Sequence, residues 1–431
     1  MKNRHWVLVL LFFLSMITYI DRVCISVAGP VMQEELGLSQ SMWGWVVGAF
    51  TLSYAFFEVP TGAMGDRIGS RITLTRIVLW WSAFTAMTGA VSNFFVLLAT
   101  RFFFGIGEAG AYPNASLTIS RWFPTTQRAR ATSVVWAASR FGGALSPLLV
   151  VPIQMAYGWR ASFFIFGFIG LIWVSVWYFW FRDSPAEKPG TSKEEIAEIA
   201  ADAKPGDAGH HKLPWASALR NRNYLTLLLM YHTYCWGSYF YLSWLHTFLV
   251  KGRGMSTDEM KTYSTLPFLA GFCGNLIGGY LSDTMTKKYG LRIGRRTIGA
   301  AGLALSGVCM LATAFTADRF QSVILLALGY GCMDCMLPVS WAVCLDIGKR
   351  YAGAISGSMN MAGQLGSFLS SVAFGYLVDY FHTYDLPLKI FSVFLFISAY
   401  LFTRIDPMEQ LSIPTHEPEG VPAGAAPVAA S

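Results

Sequence analysis

Twelve apolar runs, each of a length that crosses a lipid bilayer, limit what this chain can become. The first extends from Trp6 to about Ala28, and five more follow at about 42–63, 72–92, 94–117, 130–153 and 160–181. A polar stretch at 182–222 interrupts, and six further runs lie at about 223–250, 262–282, 297–317, 321–345, 352–378 and 387–404. A helix needs about 20 apolar residues to span the hydrocarbon core. Lipid offers no partner to a bare N–H or C=O, so runs of this length must satisfy their backbones internally, as helices. The expected fold is an all-α polytopic membrane protein with twelve transmembrane helices in two six-helix halves. Composition agrees: 54% of the residues are hydrophobic and 13% charged, where soluble domains carry about 25% charged. Lys2, Arg4 and His5 give the first run the basic start of a signal peptide. It is too long for one and encloses Asp21 and Arg22, so it reads as a retained span.

The basic residues orient the bundle. Of 32 Lys and Arg, 23 fall at the N-terminus, in loops after even-numbered runs, or at the C-terminal end. Six (Arg160, Lys251, Arg253, Lys261, Arg319 and Lys389) fall on the other side, and Arg22, Arg101 and Arg140 lie within runs. The asymmetry predicts that both termini are cytoplasmic. The chain then divides into a first bundle at 1–181, a linker at 182–222, a second bundle at 223–405 and a tail at 406–431. In the linker, Ser192 and Glu195 form a capping-box pattern ahead of Ile196, Ala197, Ile199 and Ala200, which predicts a short amphipathic helix. His210-His211 lacks the further ligands that a metal needs. The Pro-, Ala- and Gly-rich tail has no hydrophobic period and is expected to be disordered. The seven cysteines all fall in apolar runs and read as small packing residues, Cys332 and Cys335 included. The net charge of +7 is scattered over helix ends, which argues against nucleic acid. No nucleophile–base set or metal-ligand pattern is apparent, so neither enzyme activity nor a cofactor is expected.

Two features sit badly in plain spans. The fourth run holds Arg101 and Glu108 seven residues apart, close to two helical turns, so both project from one face with Gly105 between them. Charges inside a bilayer must turn toward protein or water. The second feature is a repeat. Gly62-Ala-Met-Gly-Asp66-Arg67-Ile-Gly69-Ser-Arg71 follows the second run, and Gly279-Tyr-Leu-Ser-Asp283 follows the eighth, with Gly294-Arg295-Arg296 closing a longer loop. Two halves with matching loops suit alternating access around a central site.

That duplicated loop resembles the signature of the major facilitator superfamily, expected here to gate the pathway through Gly62, Asp66, Arg67, Gly69, Arg71 and Asp283. Within the superfamily, the chain resembles the anion:cation symporter family, which includes bacterial sugar-acid/proton symporters such as galactonate, glucarate and hexuronate transporters. Tyr19-Ile20-Asp21-Arg22, Arg101 with Glu108-Ala-Gly-Ala-Tyr-Pro113, and Tyr239-Phe-Tyr-Leu-Ser243-Trp244 carry the resemblance. It implies that Asp21 and Glu108 carry protons and that Arg22 and Arg101 engage the substrate. It also makes Tyr54 a ligand contact, more weakly, and places the protein in the inner membrane. Arg22 shares a face with Tyr19, while Asp21 is turned about one hundred degrees away. Two guanidinium groups in one dry cavity repel unless an anion lies between them, and their forks match carboxylates. The alternative is that Asp21 neutralises one arginine and Glu108 the other. Burial draws a carboxyl group toward its neutral form and a nearby arginine toward its ion, so both acids can exchange protons.

Asn275, Asn360 and Gln364 could hydrogen-bond substrate hydroxyls or brace helices, Asn360 and Gln364 being one turn apart on one face. Arg140 either lines the cavity or pairs with a carboxylate. Asp334 is either another proton site or that partner. His246 stands where the family commonly has proline, which alters the bend of the seventh span. The expected activity is proton-coupled symport of a small organic anion, with protons as the coupling ion, the bilayer as partner, and a monomer as the functional unit. An organophosphate exchanger would place an arginine in the seventh run, where Asn223 to Val250 has neither Lys nor Arg. A transport-inactive anion sensor would need a signalling partner domain, and the linker and tail show none.

Overall fold

The computed structural model describes residues 2–201, 215–348 and 351–409, and among them every regular element is helical. The first half comprises α1 (Asn3–Glu35), α2 (Gln40–Ile68), α3 (Ser70–Gly89), α4 (Phe94–Glu108), α5 (Ala111–Trp122), α6 (Thr125–Tyr157) and α7 (Trp159–Trp180). The linker carries α8 (Lys193–Ala201) and a single turn, α9 (Trp215–Ala218). The second half starts with α10 (Arg222–Ser243), α11 (Leu245–Thr247) and α12 (Thr257–Tyr263). It continues with α13 (Thr265–Tyr289), α14 (Leu291–Thr313), α15 (Arg319–Asp334), α16 (Met336–Gly348), α17 (Ala352–Phe381) and α18 (Asp385–Arg404). Three spans are built from two pieces each, α4–α5, α10–α11 and α15–α16, which leaves twelve crossings. Eight are apolar enough to cross a membrane by length and composition alone. The other four, α2, α3, α10 and α13, have the length but are diluted by polar residues and glycine.

The burial pattern is that of a protein dissolved in lipid. Phe95, Phe168, Phe179, Leu305 and Tyr380 are exposed on the outside, while Asp21, Arg22, Glu58, Arg101, Glu108, Arg140 and Asp334 are buried. Apolar surface costs nothing against acyl chains, whereas an ion there costs several kcal/mol, so the charges turn inward. Close helix approach depends on small residues. Gly142 rests on the backbone of Met16, Gly143 on the ring of Phe268 and Gly363 on Tyr231. Gly353 and Gly357 face open space.

The repeated loop is a tight turn in both halves. Gly69 ends α2 at φ +85° and Gly290 ends α13 at φ +88°, a region that a side chain disfavours. At Gly69 a Cβ would also run into the Asp183 carboxylate, which accepts from the backbone N–H of Arg71 at 3.1 Å. Arg71 itself donates twice to the Tyr178 carbonyl. The second copy is not the longer loop expected from the sequence. There α13 continues one extra turn past Asp283, and Gly294, Arg295 and Arg296 belong to α14. Arg295 reaches back to Asp283 at 3.1 Å and to Asp346 at 3.2 Å.

The linker helix forms where expected, but its capping box is only half made. Ser192 Oγ accepts from the Glu195 N–H at 3.1 Å, while the Glu195 carboxylate turns away to accept from the backbone N–H groups of Asn3 and Arg4 at 3.1 and 3.0 Å. Helix α1 has no side-chain cap of its own, so an acid from the linker fills that role. Glu198 binds Lys2 and Arg4, bonds that hold its carboxyl down to about 2. Residues 202–214, with His210-His211, and 410–431 of the tail lie outside the described residues.

Candidate functional site

The fourth span was expected to run unbroken through Glu108, but it breaks directly after it. Pro113 lacks the N–H that the Ala109 carbonyl would take, and Gly110 adopts φ +87°. A break at membrane depth is tolerated when the freed groups find partners. Just past the break, Asn114 Nδ2 braces the restarted helix, donating to the Gly110 carbonyl at 2.8 Å and to the Thr61 carbonyl of α2 at 3.3 Å. Glu108 is thereby the last residue of α4, and its side chain points into the bundle. Gly105, between Arg101 and Glu108, lets the α2 backbone at Phe50 come so close that a Cβ would collide with it.

Four charged side chains gather at this break. Glu108 accepts from Arg22 Nε of α1 in a buried ion pair. The Arg22 guanidinium also lies over the rings of Tyr54 at 4.9 Å, Phe50 at 5.2 Å and Tyr19 at 5.5 Å. Arg101 packs over Phe104 at 4.3 Å and Phe50 at 5.4 Å. It makes no ion pair among the described residues, and its Nε is buried without a partner. Asp21 is buried with neither oxygen hydrogen-bonded, within electrostatic reach of Glu108 and Arg101. Of the two arginines, Arg22 is ion-paired, whereas Arg101 makes no ion pair among the described residues but lies within electrostatic reach of Asp21 and Glu108.

The tenth span breaks in a related way. Pro338 withholds the N–H that the Asp334 carbonyl would accept, α15 ends at Asp334, and α16 restarts at Met336. Asp334 is the partner of Arg140: Nε lies 2.8 Å from Oδ2, and a second guanidinium N–H donates to Oδ1 at 3.0 Å. Arg140 also donates to the Tyr330 hydroxyl at 3.0 Å and the Tyr19 hydroxyl at 3.4 Å. Because α6 belongs to the first half and α15 to the second, this buried pair joins them.

Asn360, expected to meet substrate, donates in this conformation to both carboxylate oxygens of Glu58 in α2, at 2.8 and 2.6 Å. Gln364, one turn on, has its carbonyl oxygen buried and unbonded. Glu58 was missed. It lies four residues after Tyr54, on the same face of α2, and counting acids within the runs as the bases were counted would have found it. At the end of the bundle away from the termini, the halves close. Asp379 accepts from the backbone N–H groups of Gln40 and Ser41 at 3.1 and 2.7 Å. Ser26 pairs with His246 Nδ1 at 2.9 Å, and Gln33 donates to Thr247 at 3.3 Å. The bend at His246 persists without proline, because α10 stops at Ser243 and Phe248–Gly252 forms a π-helical turn. At the other end, a cavity of about 260 Å³ runs between α6, α13 and α16 from Arg140 to Asp283. All seven cysteines are free, and no cluster of metal-ligating side chains occurs among the described residues.

Comparison with known proteins gives consistent results. The profile of the Major Facilitator Superfamily matches residues 11–371 and 264–427. A probable sulfoacetate transporter of Cupriavidus necator is 35% identical over 96% of each chain. A hexuronate transporter of Bacillus subtilis is 30% identical over 89% of this chain and 90% of its own. A probable galactarate/D-glucarate transporter of Escherichia coli is 28% identical over 93% and 94%. Among solved structures, a bacterial homolog to the human lysosomal transporter Spinster, inward-facing and occupied, superposes with a TM-score of 0.74. It is 19% identical, over 93% of this chain and 96% of that one.

Proposed function

Because the chain belongs to the Major Facilitator Superfamily, it is a membrane transporter and not an enzyme, and we propose that it is a proton-coupled symporter of a small organic anion. The substrate is a sugar acid such as a hexonate, hexuronate or aldarate, or a short sulfonated acid of the kind for which one relative is named. The observation that carries this reading is Arg101: a buried guanidinium without an ion pair, next to an Arg22–Glu108 pair and an unbonded Asp21. A buried cation that makes no ion pair among the described residues is costly even with Asp21 and Glu108 in electrostatic reach, and a carboxylate fits its fork. A proton on Glu108 releases Arg22 to join Arg101 on the anion, and loss of that proton restores the pair. Asp21 supplies a second proton site. In this reading both termini are cytoplasmic, as the distribution of basic residues predicts, the membrane is the inner one, as the family resemblance implies, the sealed end faces outward, and the chain alternates between opening to either side as a monomer. Each negative charge entering against an inside-negative potential costs about 2.3 kcal/mol per 100 mV. Two protons reverse that penalty for a monoanion and cancel it for a dianion, which is a reason for two acids.

Uptake of labelled glucarate, gluconate, glucuronate and sulfoacetate into proteoliposomes, with and without an inward proton gradient, tests the reading. The parent protein should accumulate at least one of these only when the gradient is present. Glu108→Gln should lose accumulation while keeping exchange. Accumulation indifferent to the gradient overturns proton coupling, and movement of organophosphates alone overturns the substrate class.

A further inference from the structure

We propose that Arg140 is a second anion contact, so that the transported substrate is a small dianion with one acid group at Arg101 and the other at Arg140. The inference rests on the anion-transport reading above and adds the charge type of its substrate. The argument starts from Tyr19. Its ring centroid lies 5.5 Å from the Arg22 guanidinium and 5.7 Å from that of Arg140, and its hydroxyl accepts from Arg140 at 3.4 Å. A single side chain, Tyr19, thus stands between the Arg22 and Arg140 guanidinium groups, close enough for the two ends of one small substrate to meet both cationic centres.

The partner of Arg140 then matters. Asp334 comes from the opposite half, and any motion that parts α6 from α15 pulls the pair apart. A buried arginine stripped of its counter-ion is unfavourable unless another anion takes the vacated position. An acid group on the substrate is such an anion, and with a proton taken up by Asp334 the halves separate without leaving either charge bare in the dry core. Arg22 differs, since its Glu108 belongs to the same half and stays with it.

Access agrees with this assignment. The cavity of about 260 Å³ that borders Arg140 is also lined by Ser133, Asn275 and Asp283, and it extends toward the end that carries the termini. Arg140 is therefore reached without disturbing the Arg22–Glu108 pair.

Counterflow into proteoliposomes with matched pairs of anions tests this: glucarate against gluconate, and sulfoacetate against methanesulfonate. Within each pair only one acid group differs. The parent protein should favour the dianion in at least one pair by about tenfold, the scale of one additional charge-assisted contact. Arg140→Gln should bring that ratio toward one, whatever the absolute rates. Asp334→Asn, which leaves Arg140 available, should keep or sharpen the ratio. This second variant keeps the proposal testable if Arg140→Gln does not fold. If Arg140→Gln lowers both members of a pair equally, or if the double variant with Asp334→Asn restores the parental ratio, Arg140 is a brace and the proposal falls. It also falls if monoanions move as well as dianions in the parent. If the parent moves no anion at all, the transport reading falls and takes this inference with it.

Discussion

The breaks in the fourth and tenth spans place an acid at corresponding points and use it differently. Glu108 at the end of α4 turns to Arg22 in its own half. Asp334 at the end of α15 reaches Arg140 in the other. The backbones differ too: Gly110 is left-handed at φ +87°, whereas Cys335 keeps near-helical angles of −59° and −31°. An acid paired within one rigid half can exchange its proton without moving the halves. An acid paired across them must change partners whenever they move. Two copies of one architectural device thus differ in which half they engage, and in the proposed cycle one serves the chemistry and the other the motion.

The largest expected effect comes from stranding each acid. Arg22→Met and Arg140→Met each leave a buried carboxylate unpaired and should cost about 3–5 kcal/mol of stability, seen as lowered thermal unfolding in detergent. Replacing both partners by apolar residues should recover most of that loss at either site. Arg22→Met with Glu108→Leu is then expected to be stable yet unable to accumulate substrate. If it transports normally, the chemical role given to the first pair is wrong.

Much of this was legible beforehand. Twelve spans and the inward turn of Asp21, Arg22, Arg101 and Glu108 follow from run lengths and from charges that lipid will not accept. The pairing did not follow, because it depends on how each helix is rotated about its axis. Here that rotation is set by contacts such as Gly105 against the α2 backbone, which no spacing within one helix encodes. Gly110 and Pro113 were visible as a helix-breaking pair inside an otherwise apolar run, yet hydropathy outweighed them. Asn360 shows the same limit, since its partner Glu58 lies 302 residues away.

The turn glycines sharpen the comparison at smaller scale. Gly69→Ala adds backbone strain and a collision with Asp183 and should cost about 1–3 kcal/mol. Gly290→Ala meets nothing within 4 Å and should cost only about 1 kcal/mol, from its conformation alone. Equal losses in thermal unfolding would mean that the Asp183 contact is unimportant. Pro338→Ala should then be nearly neutral, within about 0.5 kcal/mol, because its helix barely deviates.

The smallest effect concerns acidity at the linker. The Glu198 carboxyl is held down to about 2 by Arg4 and Lys2, below the ordinary carboxylate value, so its contribution is complete above that ordinary value and fades as the pH falls toward about 2. Spin labels on α8 and α1 should report an unchanged distance between about pH 5 and 8 and a looser one in Glu198→Gln. A transition in that range would assign the docking to another group.

The Glu195 contact also has a bearing on the order of events during synthesis. The opening turn of α1 is completed by a side chain that follows Asn3 by 192 positions. While the early helices are entering the membrane, that turn has no partner for its N–H groups except water. The first half can therefore assume its finished form only after the linker has left the ribosome, which ties the maturation of the earliest span to the arrival of a segment beyond the sixth.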